Sequence, residues 1–197
     1  RLYCDEKISR SRRAAQTTIY QIIHALTRLI APILAFTSEE IWAYLPHTEQ
    51  EQGMQSVLFC DMPVGVSLPE DPEFLKKWEQ IGLLRELVKK ALEEKRAAKI
   101  IGSSLEAELF LYSSDEKAAF YQSIQSLLAD VFLVSQVTVC QNGEGEFKAE
   151  DGTISVSVKK SELGKCERCW SYRESVGSCA EHPTLCKRCV DVLKAQN

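Results

Sequence analysis

Five cysteines and one histidine fall within residues 165 to 190, KCERCWSYRESVGSCAEHPTLCKRCV. Two Cys-x-x-Cys pairs stand out, Cys166 with Cys169 and Cys186 with Cys189, separated by sixteen residues. Thiolates paired in this way suit a zinc ion. Zinc takes four soft ligands tetrahedrally, and the backbone N–H groups of each turn share the negative charge. Cys179 and His182 compete as ligands, and a mixed set using His182 is chemically sound. The four-cysteine set is preferred because both turns are then complete. Two disulfides, or a redox Cys-x-x-Cys, are the rival chemistries. A redox motif occurs once, at a strand-to-helix junction, whereas this one is duplicated among Gly, Ser and Pro. A site closed by four protein ligands keeps no open position. The expected role is therefore structural, with one zinc replacing a core that so short a segment cannot build.

Side chains beside the cysteines suggest what such a site presents. Arg168 and Trp170 belong to CERCW, and Lys187 and Arg188 to CKRC. An aromatic ring and several cations on metal-fixed turns suit stacking on an unpaired base and holding phosphates. In the competing reading Trp170 is the small apolar core of the finger. No catalytic residues are assigned. There is no glycine-rich phosphate loop, no Ser/His/Asp set in a recognisable context, and His24, His47 and His182 stand far apart. His24 lies on an amphipathic helix and reads as a partly buried structural residue. The expectation is a binding module.

Composition bounds this reading. At 197 residues and 45% hydrophobic, the chain can bury at least one sizeable core and allows one or two domains besides the finger. Cys4, Cys60 and Cys140 stand among apolar neighbours and read as buried free thiols, fitting a reducing cytoplasm. The longest largely apolar run, residues 29–36, is eight residues broken by Pro32, too short to span a membrane. The chain opens on Arg, so its true beginning is expected elsewhere. The net charge of −4 is unevenly spread: residues 46–160 carry twelve Lys or Arg against nineteen acids, and both ends are slightly basic.

Three regions must position these residues. Over residues 5–46, Ile19, Ile22, Ile23, Leu26, Ile30 and Ile33 recur at helical spacing, and Pro32 ends or bends that helix near Ala31. FTSEEIWAYLP starts a second helix, with Thr37 and Glu40 at capping-box spacing and Pro46 just past its end. Residues 47–73, with Gly53, Gly65 and several prolines, are a connector. Residues 74–160 predict a small α+β domain. It begins with a helix over 74–99 that turns Leu84, Leu87, Val88 and Ala91 inward, followed by a strand at LEAELFLY. A helix over 115–130, a strand at VFLVSQVTVC and an alternating strand at TISVSV complete it. On the long helix Arg85, Lys89, Arg96 and Lys99 form one stripe that could follow a phosphate backbone. A solvated face with charge pairs such as Glu86 to Lys90 is the plainer reading. The finger, residues 161–197, closes with a short helix over 189–194. The fold class is thus α+β in several regions: a partial helical bundle (1–73), the α+β domain (74–160) and the four-cysteine finger.

RLYC at 1–4, APILAFTSEEIWAYLP at 31–46, IGSSLEAELFLY at 101–112 and KCERCW with EHPTLCKRC at 165–189 together resemble the C-terminal part of bacterial isoleucyl-tRNA synthetases. The helical stretch alone is shared with valyl and leucyl synthetases; the finger decides for the isoleucyl type. A similar finger closes formamidopyrimidine-DNA glycosylases, which makes a stand-alone zinc-finger nucleic-acid-binding protein the alternative. The N-terminal catalytic proline and helix-two-turn-helix of those enzymes are not visible here.

The resemblance implies a division of labour. ATP-dependent activation of isoleucine would belong to upstream domains bearing HIGH and KMSKS motifs, neither of which occurs in this chain. The present region would hold the anticodon stem-loop of isoleucine tRNA, in the cytoplasm. Cys166, Cys169, Cys186 and Cys189 would bind zinc. Arg168 and Trp170 would be the first RNA contacts, with Lys187, Arg188, Arg85, Lys89 and Arg96 after them. Family helices preceding RLYC complete the bundle, so the face bearing Ile19, Ile22, Ile23, Leu26 and Ile30 is expected to be exposed, or covered by self-association through residues 19–33.

Overall fold

The computed structural model describes residues 2–65, 71–113 and 115–195, which fall into two compact units, Arg1–Pro69 and Glu70–Ala195. In the first, helix α1 (Arg10–Ile30) starts where the Ser9 side chain accepts the Arg12 N–H at 3.3 Å. It stops before Pro32, where Ile33 and Leu34 both donate backbone N–H bonds to Ile30. That tight turn leads straight into α2 (Ala35–Tyr44), whose N-cap is Leu34 and carries no side-chain bond. The expected capping box at Thr37 and Glu40 therefore does not form. Thr37 is already inside the first turn, because the helix begins as soon as the preceding turn closes.

The face that α1 turns inward is polar. His24 and Thr27 are its buried residues, and they accompany a small core of Ala31, Trp42 and Val57. Ile19, Ile22, Leu26 and Leu29 lie outward, 44% to 61% exposed, while Ile23 and Ile30 are half-buried. Cys4, Cys60 and Cys140 form no disulfide among the described residues and are partly exposed rather than buried.

The second unit opens with α3 (Pro72–Ala97), capped by the Asp71 carboxylate on the Phe74 N–H at 2.9 Å and with Pro72 in its first turn. Ile81, Leu84, Val88, Ala91 and Leu92 form its buried stripe, and half-buried Leu87 packs beside it. Strand β1 (Ala107–Ser113) follows a 3-10 turn at Ser104–Glu106. The predicted helix over 115–130 is two helices, α4 (Asp115–Ser123) and α5 (Gln125–Phe132), broken at Ile124. The strand expected from Val131 begins only at β2 (Gln136–Cys140). Val131 and Phe132 remain helical because Leu128 and Phe132, one turn apart, both reach the core, and Leu133 ends the helix in the left-handed conformation at φ 57°.

A two-residue strand β3 (Phe147–Lys148) and β4 (Ile154–Lys160) complete a four-stranded mixed sheet in the order β2-β1-β4-β3. β1 runs parallel to β2 and antiparallel to β4, pairing Leu109 with Val137 and Val158, and Leu111 with Val139 and Val156. These alternate residues form the face on which the helices pack. Beyond β4, the chain at Gly145 passes so close that a Cβ there would lie 2.5 Å from the Val156 backbone, and its N–H bonds Ser155 Oγ at 2.8 Å. Only glycine fits such an approach. Among the described residues no helix is long and apolar enough to cross a membrane.

Candidate metal centre and nucleic-acid interface

Buried hydroxyls attach the finger to the sheet: Ser161 Oγ donates to the Glu108 carboxylate of β1 at 2.6 Å, and Ser135 joins the first knuckle to the strand edge. Ser135, just before β2, donates to the Leu105 carbonyl, and its Oγ accepts the Tyr172 backbone N–H at 2.7 Å. Lys165 and Tyr172 pair as an isolated bridge, so the first knuckle leaves the sheet in a fixed direction. The second knuckle opens helix α6 (Lys187–Lys194), for which Cys186 is the N-cap residue. Backbone donors help bind one knuckle to the other: Cys186 N–H donates to Cys166 Sγ at 3.3 Å, and Glu167 N–H to the Thr184 carbonyl at 3.2 Å.

The sulfurs of Cys166, Cys169, Cys186 and Cys189 all lie within 4.8 Å of one another. Cys169 and Cys186 sulfurs are 3.8 Å apart. That is the tetrahedral edge expected for zinc–sulfur bonds of about 2.3 Å. Cys166, Cys186 and Cys189 have no exposed surface, and with Cys169, Val176 and Leu185 they are the interior of the finger. Among the described residues Cys179 and His182 stand outside this group, on a turn where His182 N–H bonds the Cys179 carbonyl. The set fits a tetrahedral thiophilic cation by distance, burial and donor chemistry.

Electrostatics agrees with the geometry. For Cys166 the largest influence is burial, which raises a thiol, yet the backbone N–H groups of Cys169, Cys186 and Arg168 outweigh it and hold the thiol down to about 6. Burial pushes Cys186 up and Cys189 up to about 12, and neighbouring sulfurs add to it. A divalent cation binds thiolates, so its arrival would offset the cost of burying charge at Cys186 and Cys189.

The predicted interface residues are placed differently from one another. Trp170 is 62% exposed, so it is not the core of the finger. Its backbone is left-handed at φ 63°, and its N–H donates to the Cys166 carbonyl at 2.7 Å. Lys187 is exposed and pairs with Asp191 at 2.8 Å, and Arg188 is exposed on the same turn of α6. Arg168 is half-buried, and its guanidinium points into the site.

Arg85, Lys89 and Arg96 share a row on α3 with acidic neighbours. Glu86 receives Arg85 at 3.8 Å and Lys89 at 3.1 Å, and Glu93 receives Arg96 at 2.7 Å. Lys99 leaves the row, because it follows the helix end with φ 58°. Glu86 thus pairs with Lys89 rather than with the expected Lys90.

In the first unit, His24 Nε2 meets Glu51 Oε1 at 3.0 Å. Glu51 also accepts the Thr48 N–H at 3.0 Å and hydroxyl at 2.8 Å. Glu51 and Ser135 were not singled out from the sequence: Ser135 acts through Leu105 and Tyr172, and Glu51 joins its neighbour Thr48 to the distant His24.

The sequence comparisons match both the helical unit and the four-thiol finger. The model of the anticodon-binding domain of tRNA ligases matches residues 1–111, and the chain belongs to that family. Residues 164–192 match the zinc finger found in FPG and IleRS. The chain is similar to isoleucine–tRNA ligases along its whole length. It is 42% identical to that of Thermoanaerobacter pseudethanolicus over 200 residues, covering 100% of this chain and 21% of the relative. It is 41% identical to that of Staphylococcus epidermidis over 199 residues, covering 98% and 20%. The chain thus spans about a fifth of the length of these relatives.

Proposed function

We propose that this chain is the tRNA-binding part of an isoleucine–tRNA ligase. In this reading it holds the anticodon stem-loop of isoleucine tRNA, and upstream domains of the same cytoplasmic enzyme activate isoleucine with ATP and transfer it. Binding far from the reacting centre raises the rate by orienting the acceptor end. The four cysteines hold one structural zinc.

Trp170 carries the reading. A tryptophan in left-handed backbone costs about 1–2 kcal/mol that a glycine would avoid, and the ring so held faces solvent rather than a core. A large exposed aromatic retained at such a position suits stacking on an unpaired base. Lys187 and Arg188, on the adjoining knuckle, are assigned to phosphates; the exposed Lys187–Asp191 pair is weak enough to exchange for one. Arg85, Lys89 and Arg96 form a secondary surface whose acids must be outcompeted. The outward face of Ile19, Ile22, Leu26 and Leu29 is assigned to contacts with the rest of the enzyme, and to self-association when the chain is isolated.

The test is binding of this chain to isoleucine tRNA and to the same tRNA with an altered anticodon, over a salt series. The expected result is tighter binding of the unaltered tRNA at every salt concentration, above a shared salt-dependent term. Equal affinities governed by salt alone would refute anticodon reading by this chain.

A further inference from the structure

Arg168 lies between the two cysteines of the first knuckle, where a cation facing outward would meet RNA. Its Nη1 instead lies 3.6 Å from the sulfur of Cys189, on the opposite knuckle. Four thiolates around a divalent cation carry a net double negative charge, and three of these four cysteines are fully buried. Buried charge of that size requires donors. Cys166 receives one from the Cys186 backbone. Cys189 receives a full positive charge from Arg168. Because the guanidinium starts from the first knuckle and ends on the last ligand, it also ties α6 to the CERC turn.

We infer that Arg168 is a positioning residue of the metal centre, compensating the thiolate charge at Cys189 and locking the two knuckles together, rather than a direct RNA contact. The inference rests on the zinc reading. A neutral replacement leaves the four ligands in place but removes the charge-assisted bond, and outer-shell changes of this kind cost about ten- to a hundredfold in metal affinity. Trp170 follows two residues later in the same turn, so loosening this lock also loosens the platform that holds the ring.

The experiment compares wild type, Arg168→Met and Arg168→Lys. It reads the rate of zinc release to a chromophoric chelator, and the thiolate-to-metal absorption after cobalt substitution. Wild type is expected to bind one metal with four-thiolate absorption. Arg168→Met should release it roughly ten- to a hundredfold faster, and Arg168→Lys, which keeps the charge without the planar fork, should fall between. Release from both variants within twofold of wild type would overturn the inference while leaving the zinc reading intact. So would unchanged release accompanied by a salt dependence of RNA binding reduced by about one ion in Arg168→Met, since that marks a phosphate contact. A wild-type chain with no four-thiolate absorption would instead remove the zinc reading, and the inference with it.

Discussion

Replacing Cys186 by Ser is expected to unfold residues 165–190 while the sheet and helices α3, α4 and α5 of the same unit stay folded. Cys186 supplies one of the four clustered sulfurs, donates its N–H to Cys166 Sγ and stands at the N-cap of α6. Zinc binding contributes on the order of 10 kcal/mol to folds of this kind. The finger's own backbone hydrogen bonds add only about 1 kcal/mol each, and its interior contains little besides the cysteines, Val176 and Leu185. No remaining interaction offsets the loss of the metal. The α+β core is built from α3, β1, α4, α5, β2 and β4 and uses no residue of the finger. Limited proteolysis should therefore cut Cys186→Ser within 165–190 and leave a resistant core, and a chelator should do the same to wild type. Cys179→Ser should behave as wild type. A Cys186→Ser segment as resistant as the original would contradict this account.

Glu51→Ala is expected to destabilise the first unit by about 2 kcal/mol. The small core of that unit, Ala31, Trp42 and Val57, adjoins a polar group in which Glu51 bonds both His24 and Thr48. Trp42 stacks on His47 with ring centroids 4.4 Å apart and lies 5.7 Å from the His24 ring. Truncating Glu51 leaves His24 and the Thr48 N–H without their acceptor, and a buried donor left unpaired costs more than a hydrogen bond gains.

The pair also sets a pH dependence. Burial is the largest influence on Glu51 and raises its carboxyl, but the Thr48 N–H, the Thr48 hydroxyl and His24 together hold it below the ordinary value. A carboxyl lowered in the folded state stabilises above its unfolded value of about 4.5. That contribution is lost as the pH falls through the lower folded value. Urea unfolding followed by Trp42 fluorescence, with Trp78 and Trp170 replaced by Phe, measures both effects. Glu51→Ala should lower the midpoint at pH 7, and the gap from wild type should narrow on acidification. A midpoint unmoved by Glu51→Ala would show that the pair contributes nothing.

Patterns set by neighbours along the chain were the legible ones. The Cys-x-x-Cys spacing gave the four clustered sulfurs, Pro32 gave the end of α1 at Ala31, and the alternation of TISVSV gave β4, because successive side chains of a strand point to opposite faces and the valines share the core face. Val131 and Phe132 misled, since an apolar run that reads as a strand also serves as the last turn of a buried helix. Thr37 and Glu40 matched a capping box that the preceding turn made unnecessary. Arg168 was expected among the first RNA contacts; its approach to Cys189 was not legible, because a cation beside a knuckle can face outward or inward and only the fold brings that sulfur within its reach. The Thr48-x-x-Glu51 spacing marks a local turn, but the link to His24, twenty-seven residues away, leaves no trace in the sequence.

In the proposed function a metal-fixed Trp170 reads the anticodon loop. The measurement is the ratio of affinities for isoleucine tRNA and its altered-anticodon counterpart, in wild type and in Trp170→Gly. Glycine relieves the left-handed strain at this position, so the finger should be at least as stable as before. The account predicts a finger that keeps its metal and its resistance to proteolysis, with the affinity ratio falling to about one as base stacking worth about 1–3 kcal/mol is lost. A Trp170→Gly chain that still prefers the unaltered tRNA as strongly as wild type would contradict it.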